Sequence, residues 1–249
     1  MMKPSSLQVS FIFGSIILLL FQPSSFGWTK QQQQQHHFTA REDAQMVKQQ
    51  LGYVPLNFHS ISAKTRNGEP IAIQTYPLIS SSSTTTTKIG CSTQKQPFPT
   101  LFWLTHPDIS KAIAELERRG HVALLEEQLN NNLEYTQQFY NNHVDYANDR
   151  WDSLTKTDQD WLLLNNNDID DATLCSTIGR MRHMVRESGI AGANFVRSTL
   201  PKNTPSSSII IPSIKCLHAH YGHYRSTEKN IVGMWVHQLL QQEFPNLVL

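Results

Sequence analysis

The chain lacks a dominant charge. Across 249 residues the formal net charge is +1, and only 16% of residues are charged. There is no global field of the kind that grips a nucleic-acid backbone, which needs a basic face; only a local cluster, Arg180, Arg182, Arg186 and Arg197, stands out, and it reads as a solvated helix face. Phosphate-loop chemistry is also missing. Neither a Gly-rich loop ending in Lys-Ser/Thr nor a dinucleotide fingerprint is present, which excludes the usual nucleotide motifs. Cysteine is scarce: Cys91, Cys175 and Cys216 are far apart, odd in number and without a Cys-x-x-Cys pair. A secreted disulfide framework wants an even and denser set, so no bridge is expected. Long apolar runs are absent too. The longest, Val9–Phe21, falls short of the roughly 20 residues that span a bilayer.

That run follows Lys3 and precedes Pro23 and the small Ser24 and Ser25, the pattern of a cleaved signal peptide over residues 1–27. Residues 28–39 are rich in Gln and His and carry no acidic side chain. Together they have the composition of a bipartite leader, with a plastid as destination and the secretory lumen as the alternative. Hydrophobic residues make up 39% of the chain, below the usual globular share. The deficit is explained by polar tracts at Gln31–Gln35, Ser80–Thr87, Asn130–Asn132, Asn165–Asn167 and Ser206–Ser208. Such tracts bury too little apolar surface to offset chain entropy and are expected as loops or tails. What remains is one domain over residues 40–245, with a disordered insert at 79–96.

The pattern predicts an α+β fold: a small antiparallel sheet of about three strands on a predominantly helical C-terminal part. Thr39 can cap a helix over Ala40–Gln50. Strands are expected at Leu56–Ala63 and Ile71–Tyr76, joined by Arg66-Asn67-Gly68-Glu69, since Asn-Gly is the strongest short hairpin signal. Phe98–Leu104 supplies a third strand. Helices follow near Asp108–Gly120, over a long Val122–Trp151 with Leu125, Leu129 and Leu133 spaced by four, and at Asp158–Leu164 and Ala172–Glu187. Gly189–Pro212 reads as loop, with Ile209–Ile211 returning to the core. Ser213 is the expected cap of a helix running to Arg225, and Ile231–Phe244 closes the fold.

Ile214–Tyr224 concentrates the chemistry: Lys215, Cys216, His218, His220, Tyr221, His223 and Tyr224. At about 100° per residue, Cys216, His220 and His223 share a helix face within roughly 40°, and His218 points the other way. With Ser213 as cap, Cys216 sits in the first turn, where amides and dipole favour a thiolate. Lys215 and the same amides could instead hold a phosphate or carboxylate. The competing reading makes Cys216 and Leu217 core residues of a buried helix. On the long helix, His143 and Arg150 project from one face. An arginine there offers a two-pronged donor for an oxyanion or an ion pair to Asp145, Glu117 or Glu126.

Phe98-Pro-Thr-Leu-Phe-Trp-Leu-Thr-His-Pro107 and Lys215-Cys-Leu-His218 together resemble DUF501, an uncharacterised and mainly bacterial family. Gly68-x-Pro70, Thr75-x-Pro77, Leu116-Glu117 with Gly120, His143…Tyr146…Arg150, Gly189-Ile190 and His223 fit the same pattern, from about Arg41 to Leu240. The resemblance supplies no activity. It implies a site at the Lys-Cys-x-His block, drawn from Lys215, Cys216, His218, His223, His143 and Arg150. Where bacterial members place Cys-x-Cys-Gly, this chain has Thr65-Arg66-Asn67-Gly68, and His106 stands where they tend to have Cys. The first departure removes two ligands; the second exchanges one zinc ligand type for another. Three readings stay open: a metal, of which zinc is the natural case, or an anion held among Cys216, His218, His220, His223 and His106; a thiol-dependent enzyme using Cys216 with a histidine; and a non-catalytic interaction module built on the aromatic-rich helix. No partner or substrate is indicated.

Overall fold

The computed structural model describes residues 30–81, 94–164, 172–194 and 213–249. The expected signal peptide, Cys91, Ile209–Ile211 and the side chain of Cys175 lie outside the described residues. Met1–His37 and Phe38–Leu249 form separate compact units; the second carries everything that follows. No helix among the described residues is long and apolar enough to cross a membrane.

Two strands, β1 (Phe58–Lys64) and β2 (Pro70–Thr75), pair antiparallel across the Asn-Gly turn, and β5 (Phe102–Leu104) pairs antiparallel with the other edge of β2. The sheet order is therefore β1-β2-β5, the three-stranded sheet that the alternating pattern predicts. Central β2 has Ile71, Ala72 and Ile73 fully buried, because helices cover the sheet and the hairpin shields its edge. Eight helices surround it among the described residues: α1 (Lys30–Leu51), α2 (Pro107–Arg118), α3 (His121–Asn130), α4 (Leu133–Asp152), α5 (Lys156–Leu162), α6 (Ala172–Arg186), α7 (Leu217–Thr227) and α8 (Ile231–Glu243). The α+β class follows from this division of labour.

Several boundaries differ from expectation for identifiable reasons. Helix α1 begins at Lys30, so the Gln31–Gln35 tract is helical; glutamine is a good helix former, and no Gly or Pro interrupts the run. The insert at 79–96 is not wholly irregular, since β3 (Leu78–Ser81) and β4 (Gln94–Pro97) pair at its two ends. The long helix expected over Val122–Trp151 is two. The Asn132 side chain accepts from the Glu134 and Tyr135 amides and starts α4 afresh, because asparagine favours caps over helix interiors. Helix α2 is capped by His106, whose Nδ1 accepts from the Ile109 amide, with Pro107 at the first position.

The main core joins the sheet to α2, α7 and α8. In α2, Ile109, Ala112, Ile113 and Leu116 recur at helical spacing and are all buried. Each large apolar side chain contributes about 1.5–3 kcal/mol of transfer free energy. Helix α7 crosses the sheet closely: a Cβ at Gly222 would lie 3.0 Å from the Phe102 carbonyl. At the crossing of α7 and α8, a Cβ at Gly233 would overlap the His220 carbonyl and the Tyr224 Cβ. Gly233→Ala is accordingly expected to destabilise the fold by about 1–3 kcal/mol or more, the usual cost of overpacking. The drop in the urea midpoint measures it; an unchanged midpoint would show that the crossing can yield.

Candidate functional site

The end of α2 and the start of α7 meet. Leu116 and Leu217, both fully buried, hold the two segments against the core, and each delivers a polar neighbour to the same place: Glu117 from α2, Cys216 and His218 from α7. The strand-like segment before α7 is pinned by the Ile214 amide, which donates to Glu126 Oε1 at 2.8 Å. Ser213 is not the cap. Cys216 is, with extended backbone (φ −162°, ψ 118°).

That difference decides which ligands meet. The helical wheel places Cys216 beside His220 and His223, but the wheel holds only for residues with helical backbone, and Cys216 has none. Its Sγ lies 3.8 Å from His218 Nδ1, and Nδ1 lies 3.2 Å from Glu117 Oε1. The three donor atoms fall within 4.8 Å of one another. The other His218 nitrogen, Nε2, donates to the Ser110 carbonyl at 3.0 Å. Glu117 Oε1 also accepts from the Leu217 amide at 2.7 Å. All three side chains are partly exposed.

The electrostatics are those of a cation site. Burial pushes the Cys216 thiol up, but the hydrogen bond and charge of His218 and the Ala219 amide outweigh it, and the thiol titrates below its ordinary value. Burial pushes His218 down, while the Cys216 sulfur, the Glu117 carboxylate and the Ser110 carbonyl draw it up to about 9. Thiolate and carboxylate thus stabilise a positive charge at Nδ1.

The remaining candidates go elsewhere. His220 and His223 are buried, on the far side of α7, with Asn230 between them: Nδ2 lies 3.2 Å from His220 Nδ1 and 3.0 Å from His223 Nδ1. His223 stacks on Phe102 at a centroid distance of 5.7 Å, and its Nε2 has no hydrogen-bond partner among the described residues. His143 joins this group, 5.8 Å from His220 between ring centroids, and accepts from the Ile190 amide at 3.0 Å. Arg150 is fully buried and faces neither an oxyanion nor Asp145, Glu117 or Glu126. Its donors go to the Val185, Pro99, Ser188 and Gly189 carbonyls and to Ser188 Oγ. His106 caps α2 and lies 3.5 Å from exposed Glu69. Exposed Lys215 donates to the Gly192 carbonyl at 3.4 Å. The aromatic rings of α4 are largely inside, with Phe139, Tyr140 and Tyr146 all buried.

Glu117 and Asn230 are the residues sequence reasoning missed. Glu117 was visible as part of a Leu-Glu…Gly motif, but nothing local marked it as a ligand. Asn230 carried the weaker signal of an N-cap: its Oδ1 accepts from the Gly233 amide at 2.8 Å.

The family described as "Protein of unknown function (DUF501)" matches residues 61–238 of the chain. No curated protein and no solved structure matches.

Proposed function

The chain belongs to the DUF501 family, and from that premise we propose that it binds one zinc-type divalent cation through Glu117, Cys216 and His218. The observation that carries this reading is the anchoring of His218. With Nε2–H committed to the Ser110 carbonyl, Nδ1 is aimed at the sulfur and the carboxylate, as a metal-bound imidazole is held by an outer carbonyl. The separations fit as well. Ordinary zinc bond lengths at a tetrahedral angle put sulfur and nitrogen about 3.6 Å apart, and nitrogen and oxygen about 3.3 Å; the corresponding distances are 3.8 and 3.2 Å. In the metal-free protein a proton on Nδ1 supplies the positive charge, and the ion takes its place. Thiolate, imidazole and carboxylate suit zinc, and three protein ligands leave a position for water.

An anion is disfavoured at this helix start, because the Glu117 carboxylate already occupies the Leu217 amide. Simple thiol catalysis fits less well. A relay needs acid and thiol on different ring nitrogens, whereas both face Nδ1 here. Elemental analysis of zinc-exposed, desalted protein is expected to give about one equivalent, and Cys216→Ala or His218→Ala less than about 0.2. His106→Asn, which keeps the α2 cap and lies outside the site, retains the full equivalent. Wild-type protein below about 0.2 equivalents would remove the proposal. Rapid, pH-dependent alkylation of Cys216 in that case would favour the thiol reading.

A further inference from the structure

We propose a second, independent site at the other end of α7, which binds a small multiply charged oxyanion of the phosphate class. A cavity of about 320 Å³ lies between the β1–β2 turn, the C-terminal end of α7 and α8. Lys64 and Arg66 enter it from the hairpin and Arg225 from α7, against one carboxylate, Glu228. Lys64 pairs with Asp43 at 3.3 Å. Arg66 and Arg225 have no carboxylate within ion-pair distance among the described residues, so two guanidinium charges share a concave polar surface without an acidic partner.

His237, which lines the same cavity, reports that convergence. Burial lowers its pKa first, and the charges of Arg225 and then Arg66 lower it further. Residues far apart in the chain therefore act on one ring. Arg225 is also held in place: its Nη1 donates to the Tyr221 hydroxyl at 3.2 Å, and its guanidinium carbon lies 6.0 Å from the centre of that ring. One hydrogen bond leaves further guanidinium donors, and paired planar forks match phosphate oxygens better than point charges do. The volume sits at the small end of ligand pockets, suited to a phosphate or diphosphate group and not to an extended polyanion.

The site is independent of the metal proposal, and the test is arranged to keep the two apart. Pyrophosphate is titrated calorimetrically into the full chain carrying Cys216→Ala, so that the probe cannot act through a bound ion. Saturable one-to-one binding that weakens with salt is expected, and Arg66→Gln in the same background should weaken it about tenfold. Arg225→Gln should do likewise, while Lys111→Gln, an exposed cation on α2, leaves it unchanged. Arg66 lies on an exposed turn, so loss of folding does not confuse that variant. No binding at millimolar pyrophosphate, or equal affinity in Arg66→Gln, overturns the proposal.

Discussion

Arg150→Met is expected to lose about 3–5 kcal/mol of folding stability, the range seen when one partner of a buried charged network is removed. The residue is fully buried. Burial pulls its pKa down to about 10, with Tyr146 opposing, so it is still charged at neutral pH. What keeps it there is a set of oxygens. Nε donates to the Val185 carbonyl at 2.7 Å, Nη1 to Pro99 at 2.8 Å, and Nη2 to the Ser188 carbonyl and hydroxyl. Val185 and Ser188 flank the C-terminal end of α6, where carbonyls lack intrahelical partners and a cation is favoured. Arg150 thus closes α6 from another helix and ties it to the segment before β5. Methionine fills much of the volume but leaves these carbonyls buried and unpaired. Lysine keeps the charge without the fork and should fall between the two. Urea unfolding measures both; a methionine variant within about 1 kcal/mol of wild type would show that water replaces the guanidinium.

Acid is expected to unfold the protein well above the carboxylate range. His143, His220 and His223 are buried together. Burial pushes His220 down to about 4, outweighing a smaller opposing effect of Asn230, and pushes His223 down to about 3, with the His220 and Lys229 charges adding. His143 lies well below its ordinary value, from burial first and then its two neighbours. The hydrogen bonds agree, since the Nδ1 of His143 accepts from an amide and a proton there would meet another N–H. In the unfolded chain all three titrate near about 6.5. Below that pH the unfolded state binds more protons, so stability falls as pH drops from about 6.5 toward the folded values, by up to about 4 kcal/mol per pH unit for three histidines. His218, raised to about 9, is protonated in both states below pH 6.5 and contributes no slope there. Urea midpoints between pH 7 and pH 5 check this. His143→Gln, whose side-chain carbonyl can still accept from Ile190, should remove about a third of the slope. A flat profile over that interval would mean that the three rings are hydrated or already charged.

Much of the fold was legible in sequence because it depends on local rules. The Asn-Gly turn announced the hairpin, and the spacing of Ile109, Ile113 and Leu116 announced α2. Errors arose where two local rules competed. The leucine spacing argued for one helix through Asn130–Asn132, but Asn132 satisfies the first amides of a new helix better than it continues an old one. Ser213 is a good cap by type, yet the chain stays extended to Cys216, held by contacts from Ile214 to Glu126 and from Leu217 to Glu117 that no local pattern encodes.

The amino-acid sequence by itself determined the α+β class, the family and the crowding of sulfur and imidazole between Lys215 and His223, since period, turn chemistry and composition are properties of neighbouring residues. Only the tertiary structure decided which of those groups meet. Glu117 reaches the α7 start from a hundred residues away, because Leu116 and Leu217 are buried in a common core. His220 and His223 turn inward to Asn230 for the same reason. Side chains on one helix face go where that face is packed, and the extended backbone of Cys216 frees its sulfur from that face to join His218 and Glu117.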